Sequence, residues 1–271
     1  MSHSYTKEDL KNIFFSSLEM FDRCFDSDIS AENIRIDFFT PKNGAGVYER
    51  FCKKHFPKFL DEPYKEKGYF DDIAAQAFVG ESCYGVLIRE NVDFTLGEVM
   101  QMFLHEISHL YCTQNEIPDG NFFDKYCMGS GVEDGMINAG YAIWRETIAD
   151  IMADTVISEN ATTTLALAHD EIQQLNREIT ISNPNSKKAM SLLIAYIMIS
   201  AEVAGTTSWT VAEKRIRKST GFTDPLIYGI LKMVFEQLHI SPFWTITPDF
   251  IIELGQMYLS LLSMRAFRIE Q

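Results

Sequence analysis

The apolar residues of this chain fall into two rhythms, one of three to four residues and one of two. Between Thr6 and Phe25 they recur at Leu10, Ile13, Phe14, Leu18, Phe21 and Phe25, which is one face of a helix. Thr6 and Asp9 stand at the spacing of a capping box and place its start. From Asn33 to Phe39 the rhythm changes to two. Ile34, Ile36 and Phe38 alternate with Arg35 and Asp37, which predicts a strand. Val47 to Leu60 reads as a helix disturbed at its end by Pro57. Ile73–Val79 and Tyr84–Glu90 are short β-like runs around a Gly80–Gly85 turn, so a small sheet is expected.

Thr95 and Glu98 make a second capping-box pair. Behind them Leu96, Val99, Phe103, Ile107 and Leu110 form one stripe, widened by Met100, Leu104 and Tyr111. A helix this apolar belongs in the interior. From Asn115 to Gly140 the pattern dissolves among Pro118 and five glycines, which predicts a long irregular loop that could serve as a lid. After Tyr141 the chain reads as helices, roughly 141–158, 161–181, 186–204, 208–219, 224–239 and 248–268. Ser186 and Thr223 are N-cap candidates, Gly205 follows a helix, and Pro248 takes a first helical position. The expected fold is α+β: residues 1–114 as an α+β lobe with a small mixed sheet, and 115–271 as an all-helical lobe, the two meeting at a cleft.

Composition narrows the classes. The 271 residues are 46% hydrophobic and 23% charged, an ordinary globular balance, so disordered and fibrous architectures are excluded. The formal net charge of −14 repels phosphate backbones and argues against nucleic-acid binding. The five cysteines are odd in number and scattered, which fits a reducing cytoplasm better than a disulfide framework. The opening residues carry no signal-peptide pattern, and the most apolar segment, Ala189–Ala201, is too short for a bilayer and reads as a buried helix. Lys214, Arg215, Arg217 and Lys218 form a basic cluster, read as a solvated helix end.

The chemistry concentrates in His105, Glu106 and His109, the HExxH of LHEISHLY, on the capped apolar helix. Residues four apart share a helix face, so two imidazoles converge on one ion. A zinc ion held this way lowers the pKa of its water to about 7, and Glu106 is placed to take that water's proton. Cys112 and Asn115 occupy the positions where a metzincin has Gly and His, so that class is excluded. The third ligand expected is Glu146, 37 positions after His109 in YAIWRETIADIMAD. Asp150, one turn on, is placed to accept the N–H of His105 and fix its tautomer. Both acids lie in an apolar helix where a carboxylate needs a partner.

HEISH followed by RETIAD resembles the gluzincin zinc metallopeptidases, whose pattern is HExxH and then ExxxD on a following helix, as in the thermolysin-like enzymes. The segment from Glu146 through Asp150 is also similar to the ImmA/IrrE-type regulatory metallopeptidases. The likeness spans His105 to Asp150 and loosely the strand from Tyr84. Arg145 departs from the thermolysin-like pattern, which has Asn before the glutamate ligand. The resemblance implies a zincin-like N-terminal lobe and a peptide or protein substrate. It makes Tyr84–Glu90 the edge strand that pairs with an extended peptide. The function expected is zinc-dependent peptide hydrolysis with Glu106 as general base. The alternatives are a regulatory protease for one partner protein, or a zinc-bearing binding protein without activity. Tyr126, Tyr141, His169, Tyr228 and His239 are candidates to stabilise the oxyanion, though each reads more readily as a core residue.

Overall fold

The structure is a computed structural model that describes residues 5–60, 68–127, 129, 131–157, 186–205, 208–220 and 225–269. The helix expected over 161–181, the cap candidate Thr223 and His169 lie outside the described residues. The chain is α+β and mainly helical, with one small mixed sheet among the described residues. It divides into two compact units. One comprises residues 1–115 with 152–158, the other 116–151 with 159–271. Among the described residues, no helix is long and apolar enough to cross a membrane.

The first unit starts with α1 (Lys7–Phe25). Thr6 caps it: the Asp9 amide donates to Thr6 Oγ1 at 3.1 Å, and the Thr6 amide donates to Asp9 Oδ2 at 2.9 Å. Leu10, Phe14, Ser17, Leu18 and Phe21 are its buried face. A 3₁₀ turn at Ala31–Asn33 leads into β1 (Ile34–Phe39). Next come α2 (Gly44–His55), a 3₁₀ turn at Pro57–Phe59 and α3 (Tyr69–Asp72). The helix read to Leu60 thus stops at His55, two residues before Pro57, whose ring disfavours helical backbone in the residue ahead of it. β2 (Ala75–Val79) and β3 (Tyr84–Arg89) follow as a hairpin, then α4 (Leu96–Gln114).

The strand order is β1-β3-β2, with β1 parallel and β2 antiparallel to β3. β3 is therefore the central strand, not the edge strand that the resemblance implied. Its Val86, Leu87 and Ile88 are all fully buried because both faces and both edges are covered. On one face Phe39, Phe78 and Leu87 meet the aromatic cluster of Tyr48, Phe51, Phe56 and Phe70 around α2. The other face, with Val86 and Ile88, is closed by α1 and α4. Phe14 meets Phe103 edge-on at 5.4 Å, and Phe21 meets Tyr111 at 5.5 Å. Seven residues along α1 match eight along α4, so the two helices run side by side in the same direction.

The second unit contains α5 (Phe122–Tyr126) and most of α6 (Val132–Ile157), whose last turn belongs to the first unit. The connection expected to be irregular to Gly140 is thus short, and α6 begins nine residues before the expected Tyr141. Gly135 and Gly140 lie inside the helix. Gly140 is there for contact: a Cβ on it would collide with the carbonyl of Ile251, and one on Gly255 would collide with that of Met136. Both belong to the crossing of α6 with the last helix, where two backbones touch. Trp144 adds an edge-on contact to Phe250 at 4.9 Å.

The remaining helices among the described residues are α7 (Ser186–Val203), α8 (Trp209–Thr220), α9 (Pro225–Leu238) and α10 (Pro248–Ile269). Tyr196, Ile199 and Val203 of α7, Ala212 and Ile216 of α8, and Leu231 and Phe235 of α9 share one core. Within it Ser200 Oγ donates to the carbonyl of Leu231 at 2.8 Å, which satisfies a buried hydroxyl. Pro248 opens α10 as expected, with Thr247 Oγ1 accepting from the Phe250 amide at 3.2 Å. The basic cluster on α8 is exposed. Arg217 pairs with Glu213 at 2.7 Å and lies over the Tyr228 ring at 3.8 Å, as a solvated helix face does.

Candidate metal centre

Two half-buried polar stripes carry the site. On α4, Gln101, His105 and His109 recur every four residues, while Val99, Phe103, Leu104, Ile107 and Leu110 on the other sides are fully buried. On α6, Glu146, Asp150 and Asp154 recur the same way, set against buried Ile148, Ala149, Met152 and Ala153. The capping box fixes where α4 starts, and so which way each side chain points. The Thr95 amide donates to Glu98 Oε2 at 2.6 Å, and Glu98 is held below its ordinary carboxyl pKa by that bond and by the Thr95 hydroxyl. Ser108, buried on α4, donates to the carbonyl of Leu104 at 2.7 Å.

In the first unit, Gln101 Nε2 donates to Asp154 Oδ1 at 2.7 Å, and Cys112 Sγ lies 3.8 Å from Met152 Sδ. These contacts settle the rotation of α6 at its C-terminal end. Since α6 is one unbroken helix, the side that gives Asp154 to Gln101 is the side that carries Asp150 and Glu146, one and two turns earlier.

The Nε2 atoms of His105 and His109 stand 3.0 Å apart, with their rings at 85°. One carboxylate oxygen of Glu146 joins them, and the three ligand atoms all lie within 4.8 Å of one another. Zinc bonds of about 2.0–2.1 Å at a tetrahedral angle put two nitrogens roughly 3.3 Å apart, so the donor set and spacing suit a small divalent cation. The expected cluster of His105, His109 and Glu146 is therefore brought together. Glu106 is half-buried on α4; on an ideal helix it lies about 100° from His105 and 60° from His109, on the flank of the histidine pair. Asp150 is half-buried on the Glu146 stripe.

The other candidates fall elsewhere. Tyr141 is buried, stacked on Phe122 at 5.4 Å, and its hydroxyl donates to the Asp119 carbonyl at 3.1 Å. Tyr228 lies under Arg217, Tyr126 is exposed, and His239 Nδ1 meets the Phe235 carbonyl at 2.7 Å. Cys112 is buried, and desolvation followed by the neighbouring Asp134 pushes the Cys127 thiol up, away from thiolate chemistry. Sequence reasoning missed Gln101 and Asp154. The four-residue repeats 101–105–109 and 146–150–154 were the signal that marks them.

Comparison of the chain with family models, with curated proteins and with solved structures returns no significant match.

Proposed function

We propose that this chain is a zinc-dependent metallopeptidase of gluzincin type. The observation that supports it is the cluster itself: a carboxylate 37 residues beyond an HExxH motif shares one small volume with both of its imidazoles. Chance HExxH strings on packed helices have no reason to be completed in this way.

In this reading His105, His109 and Glu146 hold the ion. When bound, zinc supplies a Lewis acid and a water acidified to a pKa of about 7. Glu106 takes a proton from the attacking water and returns it to the leaving amine. Hydrolysis then balances: the hydroxyl goes to the carbonyl carbon as the C–N bond breaks, and the proton goes to nitrogen. Asp150 accepts the N–H of His105, which keeps the other ring nitrogen unprotonated and turned toward the ion. Gln101 steadies the same face of α6 through Asp154. An extended substrate would pair with β2, the edge strand beside α4, since β3 has neighbours on both sides.

The test is Glu106→Gln in the zinc-loaded protein, read by cleavage of a quenched peptide library and by elemental metal content. The expected result is full zinc with cleavage lost by at least about a hundredfold. Cleavage at the parent rate by Glu106→Gln, or a parent protein with zinc and no cleavage of any peptide or partner protein, overturns the reading.

A further inference from the structure

The opposite edge of the sheet has its own chemistry. β1 is the other edge strand, and a cavity of about 630 Å³ runs along it between α1 and α2. That is within the roughly 300–1,000 Å³ of ordinary ligand clefts. The cavity lies in the first unit, and none of its lining residues belongs to the metal cluster.

The floor is a strand edge. The Phe39 carbonyl accepts from the Glu90 amide at 2.7 Å, just past the end of β3. Peptide groups alternate sides along a strand, so Arg35, Asp37 and Phe39 turn theirs toward β3, and Ile34, Ile36 and Phe38 turn theirs outward. Side chains of the strand itself already sit on this edge. The Phe38 amide donates to Asp37 Oδ1 at 2.8 Å, and Arg35 Nη1 donates to the carbonyls of Glu32 at 2.8 Å and Ile34 at 3.4 Å. Ile36 lies between them.

The walls are cationic. Among the described residues, Lys11 from α1, Arg35 from β1, and Arg50, Lys54 and His55 from α2 line the cavity against one acid, Asp37. In a chain of net charge −14 that is a local reversal of sign. The field is felt inside it: desolvation first, then Lys54 and Arg35, hold His55 below its ordinary pKa, with Asp37 opposing. Asp37 sits on an edge amide, where an incoming acidic chain would place its own acceptors.

We infer that the β1 edge is a docking groove for an extended acidic segment of a partner protein, which adds as a fourth strand beside Ile36 with its carboxylates among Lys11, Arg35, Arg50 and Lys54. A strand edge offers alternating N–H and C=O groups, which match a peptide backbone. A polyphosphate has no donors for the carbonyls, and a long polyanion meets the acidic remainder of the chain. The inference stands apart from the metal site, because binding here needs neither zinc nor hydrolysis.

The experiment uses the full chain carrying Glu106→Gln, so that no probe is cut, and fluorescence anisotropy of a labelled decapeptide alternating Thr and Glu. Three comparisons run beside it: Lys in place of Glu, N-methylation of alternate amides, and an Arg50→Glu/Lys54→Glu variant whose residues are exposed. Each is expected to weaken binding about tenfold or more, with circular dichroism and zinc content unchanged in the variant. Absence of binding to the acidic peptide overturns the inference, as does equal binding by the double variant. Equal binding of the N-methylated peptide overturns strand addition and leaves a plain anion site. Tighter binding of a ten-nucleotide oligothymidylate makes the groove a nucleic-acid site instead.

Discussion

Gly140 is the sharpest mechanical test of this structure, because its replacement by alanine sets two effects of opposite sign against each other. In an ordinary helix interior Gly→Ala stabilises by about 0.8–1 kcal/mol. Gly229, exposed in α9 with nothing within 4 Å of where a Cβ would stand, is such a site and should gain about that much. At Gly140 the new methyl collides with the Ile251 carbonyl, a backbone atom that no rotamer change can move. Overpacking costs typically about 1–3 kcal/mol, and a backbone-on-backbone clash lies at or above the top of that range. Net destabilisation of about 2 kcal/mol is therefore expected, or a Tm roughly 4–8 °C lower for a unit of this size. Gly255→Ala strains the same crossing through Met136, so the double variant should lose less than the sum of the singles. Thermal unfolding by circular dichroism reads all four variants. Because Gly140 stands six residues before Glu146 on α6, Gly140→Ala should also weaken zinc binding, which Gly229→Ala should not. A Gly140→Ala protein as stable as the parent would show that α6 and α10 do not touch there, and the placement of α6 would lose its support.

Other expectations follow from single contacts. Glu146→Ala should abolish stoichiometric zinc in elemental analysis while the fold, read by circular dichroism, persists; retained zinc would remove Glu146 from the ligand set. Gln101→Leu should remove the 2.7 Å bond to Asp154, cost about 0.5–1.5 kcal/mol in urea unfolding and lower zinc affinity; an unchanged midpoint would sink the role given to that bond. Thr95→Ala should cost about 1 kcal/mol at pH 7. The Glu98 carboxyl is depressed by Thr95, so its contribution is present above the unfolded-state value near 4.3 and is lost as pH falls through the lower folded value. The gap between parent and variant should thus narrow in denaturant titrations taken well below pH 4, and a constant gap would refute the assignment.

The sequence by itself determined the local elements and named the three residues of the candidate metal cluster. Capping boxes at Thr6 and Thr95 are short-range chemistry, written in four residues, and both form as read. The HExxH offset needs only helical periodicity to bring two imidazoles to one side. An acid in an apolar helix announces that it needs a partner, which is why Glu146 could be named before its contacts were known. Tertiary structure alone decided the rest. Glycine in a sequence signals a loop and a close helix crossing with the same letter, and only the presence of α10 beside Met136 and Gly140 shows that these glycines belong to a contact. Strand order depends on pairing between segments fifty residues apart, and β3 became central because β1 adds to it in parallel from outside its hairpin. The cationic groove at β1 is likewise invisible in one dimension, since Lys11, Arg35 and Arg50 gather only when α1 and α2 close on the two faces of one strand.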